Sequence, residues 1–266
     1  MKTLLLSLAL IALTGTVAVA AGTVKKLSSP NEALTLGKNV PNVTLIDSHG
    51  KQRTLMEIIG NKPLVISLIY IRCETACLLI TDSLMGTVEK VGDLGKGYNV
   101  LTLSFDHTDT PEMLAKFATT WQLDRPGWTV VTGEEKELEK LLKAIDFSYR
   151  LDEETGDFIH PNLLVLLTPT GKISKYIYGV NYNDRDLKLS IIAAKQGSSS
   201  ASLTEGLLLW CYQYDPLTGS YKLDLALILE VISGLLFFIS VVFFFFGRQV
   251  ISSIRSFAGK LSVRHG

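Results

Sequence analysis

The chain has 266 residues, of which 47% are hydrophobic and 20% are charged, and its formal net charge at pH 7 is zero. This balance gives no electrostatic reason to expect nucleic acid as a partner. Three cysteines are also too few for a scaffold held together by disulfides.

Residues 1–20 have the pattern of a secretory signal peptide. Lys2 precedes the apolar run 4–13, and the small residues 18–20 form a cleavage-site pattern. An uncleaved anchor is the alternative, although the apolar run is short for a bilayer span. Residues 21–40 are polar and small, and we predict a linker there.

Residues 41–195 predict a single α/β domain of a size that suits one hydrophobic core. Within it, residues 64–71 form a near-continuous apolar run, which is typical of a strand covered on both faces. Turn signals and apolar periodicity predict the other elements: a hairpin of 43–46 and 51–55, a helix after Cys77, a strand at 99–105, a helix from Pro111 with Thr110 as its N-cap, a strand at 128–131, a helix at 134–145, a hairpin of 163–167 and 173–178, and a helix at 186–194. This order implies a mixed sheet with helices on both faces.

The strongest chemical signal is the pair Cys73 and Cys77, which directly follows the apolar strand. Their i, i+4 spacing predicts two sulfur atoms on one face of a helix turn. Thiolates placed in this way can share a soft metal ion or cycle between dithiol and disulfide. A structural disulfide and two unreactive core thiols are the alternatives. His160, which precedes the apolar run at 163–167, is the candidate third ligand of a metal site.

Other polar residues give weaker signals. His107 follows a predicted strand and is the one spare ligand candidate, whereas His49 lies in a predicted turn and His265 in the C-terminal tail. Asp106 and Asp109 follow the same strand as His107. They either face the site or cap the next turn and helix.

The C-terminal part predicts a membrane anchor. Residues 196–224 are predicted to be a linker and a membrane-proximal segment, in which Cys211 belongs to an aromatic stretch typical of a membrane interface. A second metal or docking role for Cys211 is the alternative. Residues 225–247 are almost wholly apolar and would form a helix of about 34 Å, enough to cross a hydrocarbon core.

The charges of the tail predict the orientation. Residues 248–266 carry arginines and a lysine and no acidic residue, so the positive-inside rule places them in the cytoplasm. A cleaved signal peptide places the domain on the opposite side. We therefore expect a single-pass protein of the inner (cytoplasmic) membrane with a periplasmic or extracytoplasmic domain.

The predicted order of strand, cysteine pair, helix, strand, helix and late hairpin resembles a thioredoxin-like fold. Over roughly residues 40–195 the chain resembles the Sco/SenC family of membrane-tethered copper proteins, which serve assembly of the copper centre of respiratory oxidases. Three segments carry the resemblance in the right order: 70–77, 104–112 and 158–173. In that family two cysteines and a histidine bind one copper, which implies Cys73, Cys77 and His160 as the ligands here.

The chain departs from the family pattern in two places. The family usually has proline after each cysteine, whereas Glu74 and Leu78 stand here. Because proline would fix the start of the helix, its absence predicts a turn of different shape. The Glu74 charge should disfavour a neighbouring thiolate. The anchor is also predicted at the C-terminus, whereas the better-known members are tethered at the N-terminus.

The resemblance implies a copper metallochaperone for a respiratory (cytochrome c) oxidase, binding Cu(I) and also Cu(II) with an added oxygen ligand. Its expected partners are the copper-containing oxidase subunit, a copper donor or thiol reductant, and the membrane. A thiol-disulfide oxidoreductase that acts on the subunit's cysteines without copper is the first alternative. A peroxiredoxin-type peroxidase and a non-enzymatic interaction module with structural cysteines are the others, so enzymatic activity stays open.

Overall fold

The computed structural model describes residues 29–73, 76–195, 212–215 and 220–262. The predicted signal peptide, Glu74, Cys211 and His265 lie outside these residues. The helices are α1 (Glu32–Thr35), α2 (Leu55–Ile59), α3 (Ala76–Val91), α4 (Pro111–Thr120), α5 (Glu135–Ala144), α6 (Asp184–Lys195) and α7 (Leu225–Ser262). The strands are β1 (Thr44–Asp47), β2 (Gln52–Thr54), β3 (Leu64–Ile69), β4 (Asn99–Ser104), β5 (Trp128–Thr132), β6 (Arg150–Leu151), β7 (Phe158–Ile159), β8 (Leu163–Leu167), β9 (Ile173–Tyr178), β10 (Tyr212–Asp215) and β11 (Ser220–Leu223).

Seven strands form one mixed sheet in the order β2-β1-β5-β4-β3-β8-β9. Strand β3 lies inside the sheet, parallel to β4 and antiparallel to β8. All six residues of β3 are buried, which means that both of its faces are covered. The predicted mixed sheet with flanking helices is therefore confirmed.

The parallel pairing of β3 and β4 determines where the two following loops lie. Ile69 at the end of β3 is in register with Ser104 at the end of β4. The loops that follow parallel strands leave the same edge of a sheet, so the loop with the cysteines and the loop with Asp106 and Asp109 are neighbours.

The start of α3 differs from the prediction. The helix begins at Ala76, so Cys73 lies before it and Cys77 within its first turn. The chain turns after β3, and the Cys73 N–H donates to the Tyr70 carbonyl at 3.2 Å. The expectation that both cysteines lie on one face of a helix turn is therefore wrong, because this turn keeps Cys73 out of the helix.

Two hairpins were not predicted. Strands β6 and β7 form a separate two-stranded sheet directly before His160, with Leu151 opposite Phe158. Strands β10 and β11 form another within the segment 196–224, for which the sequence predicted a linker and a membrane-proximal segment but no hairpin. The chain between residues 29 and 40 also meets the domain, since the Gly37 N–H donates to the Ile173 carbonyl at 2.8 Å.

Helix α7 contains the predicted membrane segment and continues beyond residue 247 to Ser262. Its portion Leu225–Phe245 is long and apolar enough to cross a membrane by length and composition. Most of the large apolar side chains of this portion are exposed, among them Leu225, Phe237 and Phe244. Their exposure to the surroundings agrees with a helix that faces lipid.

Candidate functional site

Both candidate cysteines are buried and in the thiol form in the structure, with 5% of Cys73 and 1% of Cys77 exposed. The Cys77 backbone N–H donates to the Cys73 Sγ at 3.3 Å. The first N–H groups of a helix have no partner within the helix, so the Cys73 sulfur satisfies one of them. The two side chains are thus neighbours in the dithiol form.

Burial raises the pKa of the Cys77 thiol, and the nearby Cys73 sulfur raises it further, although a hydrogen bond from the Tyr70 backbone acts in the opposite direction. The raised pKa means that Cys77 keeps its proton at neutral pH. A metal that binds this sulfur must displace the proton, because the thiolate is the ligand form.

Tyr70, at the end of the buried strand, connects two parts of this region. Its hydroxyl donates to Asp157 Oδ1 at 3.2 Å and accepts from the Phe158 N–H at 3.3 Å. The hydroxyl also interacts with the Cys73 thiol. Burial raises the pKa of Tyr70 most, and the interaction with Cys73 raises it further. The sequence alone did not indicate a functional role for Tyr70. The available signal was a residue with a hydroxyl group three positions before a cysteine.

His160 follows β7 and is half-buried among aromatic rings. Its ring centroid lies 5.1 Å from that of Phe105, 5.9 Å from that of Tyr70 and 6.0 Å from that of Phe147. Burial lowers the pKa of His160, which favours the neutral imidazole that binds metals.

The orientation of the imidazole is fixed by a neighbour in the chain. Nδ1 of His160 lies 3.1 Å from the Pro161 carbonyl oxygen. A carbonyl can only accept, so Nδ1 carries the proton and Nε2 carries the lone pair. Metal-binding histidines are often oriented in this way, by a carbonyl that accepts a hydrogen bond from the ring nitrogen that does not bind the metal.

Tyr70 therefore contacts all three predicted ligands: its hydroxyl interacts with Cys73, its backbone with Cys77 and its ring with His160. In the part of the chain that the structure describes, no group of three or more His, Cys, Asp or Glu residues is close enough to hold a metal ion. Two thiols and an imidazole are donors that suit a soft metal. Cys73, Cys77 and His160 are nevertheless not grouped closely enough in this structure to hold one.

Asp106 contributes to the shape of the cysteine loop. Its carboxylate is 2% exposed and lies 2.9 Å from Nη2 of Arg72, which is 54% exposed. Burial opposes ionisation of Asp106, but hydrogen bonds from Thr108 and Arg72 outweigh it and lower the pKa. Asp106 thus pairs with the residue next to Cys73.

Asp109 binds the backbone of the same loop. Its Oδ2 accepts from the Ile71 N–H at 2.9 Å and from the Ser104 hydroxyl at 2.5 Å. Burial raises the pKa of Asp109 despite these two hydrogen bonds. Of the two sequence interpretations, that these aspartates face the site or stabilise turns, the contacts favour stabilisation of the cysteine loop.

The structure describes two of the remaining histidines, and both are on the surface. His107 is exposed, and His49 has its Nε2 3.5 Å from Asp124 Oδ1. Leu78, which stands where the family has proline, is 37% exposed in the first turn of α3.

Comparisons with known proteins agree on the family. The SCO1/SenC family model matches residues 35–193. A proposed electron transfer protein from Aquifex aeolicus VF5 is 40% identical, with a TM-score of 0.58 over 64% of this chain and 99% of that chain. BsSco, a member of the Sco family of cytochrome c oxidase assembly proteins studied for a disulfide switch, is 25% identical, with a TM-score of 0.53 over 65% of this chain and 100% of that chain.

Arabidopsis thaliana ScoI with copper bound shares the fold at 19% identity, with a TM-score of 0.50 over 61% of this chain and 99% of that chain. A search of curated proteins gives no match. The family model covers more than half of the chain, and its fold is the thioredoxin-like one expected from the order of elements. The chain therefore belongs to the SCO1/SenC family.

Proposed function

We propose that this chain is a membrane-tethered, extracytoplasmic copper metallochaperone for assembly of the copper centre of a respiratory (cytochrome c) oxidase. The observation that carries the proposal is that Tyr70 contacts both the cysteine pair, through Cys73, and the His160 ring, in a chain of the SCO1/SenC family. BsSco belongs to a family of cytochrome c oxidase assembly proteins, and Arabidopsis ScoI has copper bound, which supports the same role here.

Copper is the cargo of this site. Two thiolates and one imidazole form a soft, three-coordinate set that suits Cu(I). The orientation of His160 leaves Nε2 as its ligand atom, because Nδ1 faces the Pro161 carbonyl. Cu(II) would need an added oxygen ligand. We expect the assembled site to be formed when copper draws His160 and the two sulfur atoms together.

The thiols also give the site a redox state that is coupled to copper. Oxidation of Cys73 and Cys77 to a disulfide forms one S–S bond and releases two protons and two electrons to an oxidised partner. Both sulfur ligands are consumed in this step. An oxidised chain therefore cannot hold copper until a thiol reductant returns both electrons.

A second candidate function is a thiol-disulfide reductase acting on cysteines of the oxidase subunit. The contact between the Cys77 N–H and the Cys73 sulfur favours the reductase function, because this contact places the two thiols side by side. The Cys73 thiolate would attack the partner's disulfide and release one partner thiolate. Cys77 would then attack the mixed disulfide, which releases the second partner thiolate and leaves a Cys73–Cys77 disulfide.

The tether completes the proposal. Leu225–Phe245 would cross the inner membrane, with residues 248–266 in the cytoplasm and the domain in the periplasmic or extracytoplasmic space. The predicted signal peptide at 1–20 would direct this orientation. A copper donor or a thiol reductant would meet the domain on the same side as the oxidase subunit.

Binding of Cu(I) by the full reduced chain in detergent tests the proposal. We expect His160→Ala to weaken Cu(I) binding, measured by competition with a chromophoric Cu(I) chelator, because it removes the imidazole ligand. His49→Ala is the matched control, since His49 is exposed in the turn between β1 and β2 and lies beside Asp124. Equal Cu(I) affinity for the wild type and His160→Ala would contradict the three-ligand site and favour the reductase.

A further inference from the structure

The cysteine loop and the His160 segment are connected through one side chain. Tyr70 belongs to the turn after β3, and its hydroxyl hydrogen-bonds both the Asp157 carboxylate at 3.2 Å and the Phe158 N–H at 3.3 Å. Asp157 and Phe158 belong to the β6–β7 hairpin, which leads into His160. Two hydrogen bonds thus join the hairpin to the strand that positions Cys73.

The ring of Tyr70 makes contacts with the same segment. It packs edge-on against Phe158, with the ring centroids 5.1 Å apart, and against His160, at 5.9 Å. The ring limits the approach of His160 from one side while the hydroxyl holds the hairpin backbone. Tyr70 therefore constrains Asp157 and Phe158, which precede His160 by three and two positions, and the imidazole itself.

The hairpin has little rigidity of its own. Each of its strands has two residues, and it pairs with no strand of the seven-stranded sheet. An isolated two-stranded hairpin is at best marginally stable in water. The position of His160 therefore depends on contacts between the hairpin and the rest of the domain.

We propose that Tyr70 is a positioning residue that sets the distance of His160 from Cys73 and Cys77 and thereby the copper affinity of the site. This inference rests on the proposed function, because it takes His160 as a copper ligand. The three donors do not form a metal-holding group in the described residues, so a three-ligand copper site requires His160 and the sulfur atoms to come closer together. The hydrogen bonds of Tyr70 limit the movement of the hairpin. A more mobile hairpin would lose more conformational entropy when copper binds, which would lower the copper affinity.

The test compares the full reduced chain and three variants in detergent. Tyr70→Phe keeps the ring and removes both hydrogen bonds, and Asp157→Ala removes one acceptor at an exposed position without opening a core cavity. Tyr149→Phe is the matched control. Its ring packs on Phe158 at 5.3 Å, and its hydroxyl has no hydrogen bond to any of the described residues.

Each variant is made in the wild-type and in the His160→Ala background, and Cu(I) affinity is measured by chelator competition. We expect Tyr70→Phe to weaken Cu(I) binding about tenfold, as the loss of a group that orients a metal ligand typically does. Asp157→Ala should have a smaller effect in the same direction, and Tyr149→Phe should have none. In the His160→Ala background Tyr70→Phe should change nothing further, because there is no imidazole left to position.

Amide hydrogen exchange of the copper-free chain gives an independent readout. The Phe158 N–H should exchange faster in Tyr70→Phe than in the wild type or Tyr149→Phe, since its acceptor is lost. Unchanged exchange would overturn the inference, because the hairpin would then not depend on Tyr70.

The copper outcomes separate this inference from the proposed function. Equal losses from Tyr70→Phe in both backgrounds would overturn the inference, because Tyr70 would then act on the cysteines or on the whole fold. Unchanged affinity in Tyr70→Phe, with His160→Ala weakened, would overturn the inference and leave the proposed function intact. Unchanged affinity in His160→Ala would overturn both. A loss in the wild-type background alone, with faster Phe158 exchange, supports the positioning role.

Discussion

The backbone N–H of Cys77 donates to the Sγ of Cys73 at 3.3 Å, so one cysteine of the pair caps the helix that carries the other. A side chain that accepts from the first turn of a helix satisfies one of the N–H groups that have no partner within the helix. The sulfur of Cys73 thus has a structural role in the reduced protein and a proposed ligand role toward copper.

The cap predicts different effects for two substitutions of Cys73. Cys73→Ser keeps a side-chain acceptor for the Cys77 N–H, whereas Cys73→Ala removes it. We expect Cys73→Ala to be less stable than Cys73→Ser by up to about 1 kcal/mol, in the range of helix caps. Thermal unfolding of the two variants in the same detergent measures the difference. Both variants should lose high-affinity Cu(I) binding, so a Cys73→Ser chain with wild-type affinity would contradict the ligand role.

Copper binding should weaken as the pH falls. Burial raises the pKa of Cys77, so its thiol holds a proton at neutral pH and must release it to bind Cu(I). The released proton makes Cu(I) affinity rise by at least about tenfold per pH unit below the thiol pKa. Burial lowers the pKa of His160, so the imidazole is already neutral and adds no dependence near pH 7. Chelator competition between about pH 6 and about pH 8 checks the slope. An affinity independent of pH would exclude Cys77 as a ligand.

The pair of Arg72 and Asp106 predicts a pH-dependent contribution to stability. Arg72 is 54% exposed, so solvent screens the pair, and we expect Arg72→Ala to cost about 1 kcal/mol at pH 7. The folded-state pKa of Asp106 is lowered, so this contribution is present above the unfolded pKa and is lost as the pH falls through the folded value. The wild type and Arg72→Ala should therefore converge in thermal stability under acidic conditions. A constant difference at every pH would mean that Arg72 stabilises the fold by packing.

The proline that the family usually has after the second cysteine should be tolerated in this chain. Leu78 is the third residue of α3, where the backbone N–H has no partner within the helix. Its side chain is 37% exposed, so Leu78→Pro removes little buried surface. We expect a change in stability below about 1 kcal/mol. Asp82→Pro is the contrasting variant, since Asp82 is exposed in the interior of α3 and proline there costs about 3 kcal/mol. Equal destabilisation by the two prolines would show that α3 begins elsewhere.

Much of the fold follows from local patterns in the sequence. Strand β3 was predictable because a run covered on both faces is apolar at every position. Helix α4 was predictable from its cap, in which Thr110 Oγ1 accepts from the Met113 N–H at 3.4 Å ahead of Pro111. Such signals are contained in a few consecutive residues.

The parts that were missed depend on distant contacts. The β6–β7 hairpin has two residues per strand, too few for a periodic pattern, and it is joined to the cysteine loop by Tyr70, which lies 88 positions from Phe158. The start of α3 after Cys73 depends on the turn at Tyr70 and on the Ile71 N–H held by Asp109. The ligand set Cys73, Cys77 and His160 came from the family resemblance, and it stays a prediction.

The metal content of the protein purified from its own membrane tests the copper role most directly. Purification under reducing conditions without added metal, followed by elemental analysis, should find copper in an amount comparable to the chain. The same preparation of Cys77→Ser should contain little copper, because one sulfur ligand is lost while Cys73 still caps the helix. Wild-type protein without copper, or Cys77→Ser protein with as much copper as the wild type, would contradict a copper site at the cysteine pair.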